Sequence, residues 1–247
     1  MAKQVDWERV LVDGYERLKM AQRVFRHLPR EPRCRMCQNP FAGFGGRVCG
    51  WMGRKPSRKS PNLCAACFDG LPDGGIELDV GILFADVRGS TGMGERSTAT
   101  EFADRLNRFY ATATDVLVRH DALIDKLIGD EVMAIFVPGL AGPDYRRRTA
   151  LAAVELARAL PDLPLGVAAN AGVAFVGKVG TGPVVDFTAL GDAVNVAARL
   201  QSHAADGQVV LSADLYDLVQ GEHPDAVRSS IDVRGRDQQV DIAVLAP

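Results

Sequence analysis

Three sets of residues in this 247-residue chain have the types and the spacing to do chemistry. Asp86 closes the apolar run "LDVGILFADV" (78–87), and the small-residue turn "VRGSTG" follows it. Asp130 and Glu131 sit behind a glycine in "KLIGDEVMAIF" (126–136), between two apolar runs that read as the strands of a hairpin. If those strands are neighbours, Asp86 and Asp130 project from one sheet edge, where their charges repel unless a divalent cation lies between them. Mg2+, a hard ion that takes about six oxygens and shares them with substrate phosphates, suits such a pair. An aspartate at a hairpin tip, taken alone, is more often a turn former or a solvated charge. The turn through Val87, Gly89, Ser90 and Thr91 can aim backbone N–H groups at phosphate oxygens.

In the second set, Asn195 and Arg199 lie four apart on the predicted helix "DAVNVAARLQS", so they face the same way. A solvated helix face is the ordinary reading of such a pair. The third set is Cys34-x-x-Cys37 and Cys64-x-x-Cys67, two knuckles of the kind that close a tetrahedral four-cysteine zinc site. An iron–sulfur cluster or a pair of redox dithiols is the alternative. Cys49, between the pairs, is a spare thiol or a further cluster ligand.

These residues need elements to position them. Heptad-like spacing of Trp7, Leu11, Gly14, Leu18, Ala21, Phe25 and Leu28 predicts a helix over about 6–29, packed on its own chain or against a partner's helix. With its flanking prolines it forms an N-terminal unit, 1–32. Residues 33–69 are rich in Gly, Pro, Arg and Cys and too poor in aliphatics to build a core, which makes them a four-cysteine metal module. "GLPDGGI" carries turn chemistry and marks a linker over 70–77. From 78 to 247 strands and helices mix, and antiparallel hairpins among them predict an α+β sheet domain with helices mainly on one face.

The gross numbers set limits. Lys+Arg 29 against Asp+Glu 31 gives a net charge of −2, so no global field points to nucleic acid or an anionic surface. The local basic stretch "GRKPSRK" (53–59) reads as a solvated loop, since no aromatic residues interleave with its charges. The sequence shows no apolar secretion segment and no run long enough to span a membrane. The expectation is a cytoplasmic protein with no membrane partner and no nucleic acid.

"FADVRGST" (84–91), "KLIGDE" (126–131) and "DFTALGDAVNVAARL" (186–200) resemble, in order, the three signature blocks of the class III nucleotidyl cyclases. The resemblance covers about 78–247 and implies a ferredoxin-like βαββαβ catalytic domain that works as a head-to-tail homodimer with shared sites. It implies that Asp86, Asp130 and the Val87 carbonyl hold two Mg2+ or Mn2+ ions. One ion would activate the ribose 3′-hydroxyl for attack on the α-phosphate, and the other would anchor the triphosphate and the leaving pyrophosphate. Lys126 and Thr188 would read the base across the dimer, Asn195 would orient the ribose, and Arg199 would bind charge growing on the α-phosphate. Arg234 or Arg236 would hold the triphosphate tail.

Lysine suits the adenine N1 acceptor, and a threonine oxygen can accept from the N6 amino group, whereas guanine presents the opposite pattern. The implied activity is therefore adenylate cyclase, ATP to 3′,5′-cyclic AMP and pyrophosphate. A guanylate cyclase, a silent cyclase-like sensor and a zinc-dependent binding protein are the alternatives. Outside the motif, Lys126 would be a solvated strand-end lysine and Thr188 a strand former.

Overall fold

The computed structural model describes residues 7–12, 16–25, 33–34, 36–57, 63–181, 184–233 and 238–246. Four helices come first: α1 (Trp7–Leu11), α2 (Glu16–Phe25), α3 (Gly43–Trp51) and α4 (Ala65–Gly70). Then follow β1 (Gly75–Val87), α5 (Ser90–Glu95), α6 (Ala99–Arg119), β2 (Leu123–Ile128), β3 (Glu131–Phe136), α7 (Pro138–Ala141) and α8 (Tyr145–Ala159). The chain ends with β4 (Leu165–Thr181), β5 (Val184–Leu190), α9 (Asp192–His203), β6 (Val209–Ser212), α10 (Ala213–Asp217), β7 (Val227–Ile231) and β8 (Val240–Leu245).

Among the described residues all eight strands join one sheet, in the order β2-β3-β1-β4-β6-β8-β7, with β5 paired to β4. Its centre is the expected ferredoxin-like unit. β1, α6, β2, β3, α8 and β4 run βαββαβ, and β1 pairs antiparallel with both β3 and β4. A capping box starts the long α6: the Thr98 side chain accepts from Glu101 N (3.2 Å), and the Glu101 carboxylate accepts from Thr98 N (2.9 Å).

β1 explains the layering. Its residues alternate between faces, and both sets are apolar. Leu83, Ala85 and Val87 enter a core with Phe109, Leu117 and Leu156 of α6 and α8. Leu78, Val80, Ile82 and Phe84 enter a second core with Trp7, Leu11, Met36, Leu63, Phe68 and the α9 residues Ala193 and Ala197. The expectation of helices mainly on one face is thus corrected. A strand apolar on both sides needs cover on both, and the N-terminal segments and α9 supply it.

Two sequence boundaries also differ. β1 starts at Gly75, inside the stretch read as linker, where Gly75 pairs with Gly177 so closely that a Cβ on either would meet backbone within 2.5 Å. The helix expected over 6–29 is seen as α1 and α2, while 13–15 and 26–29 lie outside the described residues. Within its seam Trp7 and Leu11 are buried, and Gly14 and Leu28 lie outside the described residues.

Helix α8 rests directly on β1. A Cβ at Gly81 would lie 1.9 Å from Thr149 Oγ1, a hydroxyl already bonded to Tyr145 O at 2.8 Å. Gly81→Ala should therefore destabilise by about 1–3 kcal/mol through overpacking, lowering the melting temperature by about 3–10 °C. Gly221→Ala, with nothing within 4 Å, is the control that should not move it. Equal melting curves for the two variants would contradict this packing.

Candidate active site

Asp86 is the last residue but one of β1, and its register partner on β3 is Glu131. The hairpin between β2 and β3 turns through Gly129 and Asp130, and Gly129 takes φ +60°, which side chains resist. That turn folds back so that Val87 N donates to Asp130 O at 3.1 Å. The two loops are therefore tied by backbone, which sets the Asp130 carboxyl near enough to Asp86 to act on its proton. Burial first, then the hydrogen bond and charge of Asp130, push Asp86 up to about 6, against the lowering pull of Gln201 and Arg88. Glu131 is raised as well, by burial and then by the charges of Asp86 and Asp130. The charges of Asp86, Asp130 and Glu131 act on one another along this edge, and a divalent ion bound there would relieve their repulsion.

Arg88 is a part of this edge that motif reading missed. It pairs with Asp86 (Nη1 to Oδ2, 3.5 Å) and donates through Nη2 to Gln201 O, while its Nε is buried without a hydrogen-bond partner among the described residues. Gly166 makes room for it, since a Cβ there would stand 2.2 Å from Arg88 Nε. Gly89 takes φ +66° and precedes α5. Ser90 and Thr91 line a pocket of about 270 Å3 together with Gly94, Phe102, Gly129 and Asp130.

A second cluster forms around Lys126. Its Nζ donates to Thr188 Oγ1 (3.0 Å), Asp186 Oδ2 (3.1 Å) and Asp125 Oδ1 (3.3 Å). Burial works against the ammonium, but the charges of Asp125 and Asp186 outweigh it and hold Lys126 above its ordinary value. Thr188, buried on β5, donates its hydroxyl hydrogen to Asp125 Oδ2 at 2.7 Å. The Asp125 side chain is fully buried, and that burial raises its pKa despite Thr188 and Lys126. Asp125 carried no signal of its own in the sequence beyond standing next to Lys126. It reaches inward because the β2–β3 register shifts between Ile124 and Lys126, and a bulge of that kind re-aims a side chain.

Lys126 and Thr188 are thus brought together, as are Asp86 and Asp130, in two separate clusters. Asn195 and Arg199 lie one turn apart on α9 and are both exposed, while Val196, Ala197 and Leu200 bury the opposite face. Arg234 and Arg236 lie outside the described residues.

On the even face of β1 the sulfurs of Cys34, Cys37, Cys64 and Cys67 all lie within 4.8 Å of one another. The Cys37 and Cys64 sulfurs are 3.8 Å apart, and Arg54 Nη1 reaches Cys37 Sγ at 3.7 Å. Hydrogen bonds from Cys34 pull both Cys64 and Cys37 down, whereas burial pushes Cys34 up, and thiol contacts led by Cys34 raise Cys67. Four convergent, mostly buried thiols can hold a metal. Cys49 is buried and stands outside the cluster.

The raised Asp86 makes a signed prediction. A folded-state carboxyl near 6 binds its proton more tightly than the unfolded chain does. Its stabilising contribution is full below the ordinary carboxylate range and is lost as pH rises through 6. With Mg2+ and Mn2+ omitted, wild type should lose roughly 2 kcal/mol relative to Asp86→Asn between about pH 4.5 and 7.5. Denaturant titration at the two pH values measures this, and a constant difference would show that Asp86 is not so crowded.

A family model described as the Adenylate and Guanylate cyclase catalytic domain matches residues 77–245. The uncharacterized proteins Rv1318c and Rv1319c of Mycobacterium tuberculosis are 31% and 32% identical to the chain over 178 and 181 residues. Each alignment covers 69% of this chain but only 33% and 34% of those relatives, so the chain spans about a third of their length. Among solved structures, the guanylyl cyclase Cya2 is similar at a TM-score of 0.66 and 24% identity, covering 70% of this chain and 94% of that one. The adenylyl cyclase CyaB from P. aeruginosa is similar at 0.60 and 25%, covering 69% and 94%. Both nucleotide types occur among the neighbours, so likeness alone does not choose between them. With its sheet order, its paired acids and this match over residues 77–245, the chain belongs to the adenylate and guanylate cyclase catalytic-domain family.

Proposed function

We propose that this cyclase makes 3′,5′-cyclic AMP and pyrophosphate from ATP, in sites assembled between two copies of the chain. The observation that carries the choice of nucleotide is the Thr188–Asp125 hydrogen bond. A hydroxyl has one hydrogen to give. With that hydrogen committed to buried Asp125, Thr188 faces a ligand as an acceptor, which suits the N6 amino group of adenine and mismatches O6 of guanine. Lys126, a donor only, suits adenine N1 and mismatches the N1–H of guanine.

The remaining roles follow the chemistry of each group. Asp86, Asp130 and the Val87 carbonyl would hold two Mg2+ or Mn2+ ions, which when bound would acidify the ribose 3′-hydroxyl and neutralise the triphosphate. Gly89, Ser90 and Thr91 offer backbone N–H groups and hydroxyls to the phosphates beside Asp130. Asn195 orients the ribose, and Arg199, one turn along α9, meets the charge that builds on the α-phosphate. Arg234, outside the described residues, is the candidate for the triphosphate tail. Asp86 and Asp130 form one cluster and Lys126 and Thr188 another, which supports a site with one cluster from each copy.

For the N-terminal module, a single zinc ion is the reading the sulfur spacing supports. Ligands at about 2.3 Å on a tetrahedron have edges of about 3.8 Å, the separation of the Cys37 and Cys64 sulfurs. An iron–sulfur cluster interposes several atoms and spreads its cysteines further. Four protein thiolates would leave no open position, so the ion would be structural.

Purified full-length chain incubated with Mn2+ and either nucleotide should form cyclic AMP, with kcat/KM for GTP lower by about tenfold or more. Asp125→Ala, which frees the Thr188 hydroxyl to donate, should narrow that ratio by about tenfold. Lys126→Glu with Thr188→Cys should move activity toward GTP. Cyclic GMP as the main product of the wild-type chain would overturn the assignment of ATP. In the same preparation, elemental analysis should find about one zinc ion per chain, lost in Cys64→Ser. Iron and visible absorption would refute the zinc reading.

A further inference from the structure

Helix α3 (Gly43–Trp51) is amphipathic in an unusual sense. One face is buried through Gly46 and Cys49 in the cysteine module. The opposite face is apolar and open. Phe44 is 80% exposed, Trp51 98% and Met52 60%, with Val48 between them. Positions 44, 48, 51 and 52 follow the spacing of a single helical stripe. Gly46 explains why the stripe cannot turn inward: a Cβ there would lie 2.5 Å from the Phe41 carbonyl carbon, so the glycine side of α3 is pressed on backbone. Helix α2, joined to the module by Gln22 Nε2 donating to Met36 O (2.7 Å) and by Arg54 over the Phe25 ring (5.6 Å), adds exposed Met20 and Val24. Soluble surfaces scatter single apolar residues, but a contiguous stripe of large ones marks a contact.

The surrounding charge says what kind of contact. Residues 33–68 contain seven Lys and Arg and no Asp or Glu, leaving 22 basic against 31 acidic residues in the rest of the chain. Even with a four-thiolate zinc centre counted as −2, the segment stays strongly positive. Arg47 on α3 is exposed, and so is Lys55, whose stem lies against Gly50 of the same helix. Trp, Phe and aliphatics on one face of a short helix, flanked by Lys and Arg, is the composition that inserts shallowly into the headgroup layer of an anionic bilayer.

We propose that the exposed face of α3, with Arg47 and Lys55 at its margin, docks this protein on an anionic lipid surface. A second copy is a poorer occupant, because a two-fold pairing of α3 sets basic module against basic module. Nucleic acid is poorer too, since it asks for aromatic platforms in succession, whereas Phe44 and Trp51 stand about 10 Å apart along the helix with Val48 between. The expectation of no membrane partner rested on the lack of a spanning segment. Among the described residues no helix is long and apolar enough to cross a membrane, and surface docking needs none. The inference is independent of the nucleotide this cyclase uses.

The test uses the full chain with phosphatidylcholine vesicles, with and without roughly a third phosphatidylserine. Trp7 is buried against Phe187, so in a Trp7→Phe background the emission reports Trp51 alone. The expected result is co-sedimentation with the anionic vesicles, a blue shift of Trp51 and quenching by bromolipid. Affinity should fall at least about tenfold on neutral vesicles and when ionic strength is raised about tenfold. Phe44→Ser/Trp51→Ser and, separately, Arg47→Glu/Lys55→Glu should each abolish binding while cyclase activity and metal content stay unchanged. The proposal is overturned if the chain ignores anionic vesicles, if it binds neutral ones equally, or if the Phe44/Trp51 variant binds as wild type. It is also overturned if that variant instead loses self-association or oligonucleotide binding that the wild-type chain shows without vesicles.

Discussion

Two carboxyls that repel one another are held close at the end of a strand buried on both faces, and the rest of the domain is arranged to keep them there. Asp86 cannot retreat, because Leu83, Ala85 and Val87 anchor β1 in one core and Val80, Ile82 and Phe84 in the other. Asp130 cannot swing away, because its own carbonyl accepts from Val87 N and Gly129 fixes the turn. Burial and mutual repulsion put Asp86 near 6, a cost that a cation bound between the carboxyls would relieve. Strain of this kind, maintained by structure built around it, is what a preorganised phosphoryl-transfer site needs.

The Lys126 cluster follows a different logic. Its charges are matched rather than opposed, with Asp125 and Asp186 about the ammonium and Thr188 completing the network. Fully satisfied polar networks specify direction as well as stability. Here the buried Asp125 dictates which way the Thr188 hydroxyl points. The N-terminal segments touch this same region: Trp7 stacks on Phe187, the neighbour of Thr188, with ring centroids 6.0 Å apart. Lys178, the register partner of Phe187, donates to Leu71 O at 2.6 Å and sits over the Phe68 ring. The cysteine module and β5 therefore share one core.

Much of this was legible in the sequence, for physical reasons that differ by residue. The apolar run before Asp86 announced a buried strand, and the glycine before Asp130 announced a tight hairpin. The paired Cys-x-x-Cys knuckles converge as their spacing implied. Asp125 stayed hidden because its role depends on a bulge, and a one-residue register shift leaves no compositional trace. Arg88 was hidden because its pocket exists only through Gly166, 78 positions away in the chain. The second layer was hidden because cover for the even face of β1 comes from a segment whose composition suggested a separate module.

The central claim is that one catalytic centre draws its acids from one copy of the chain and its base-reading groups and Arg199 from the other. Mixing inactive Asp86→Ala chains with inactive Arg199→Ala chains tests it most directly, since a mixed dimer contains one undamaged centre and one doubly damaged. The account predicts that activity reappears on mixing, approaching about a quarter of wild type when the two chains associate at random. Persistent inactivity in a mixture shown to contain mixed dimers would contradict it.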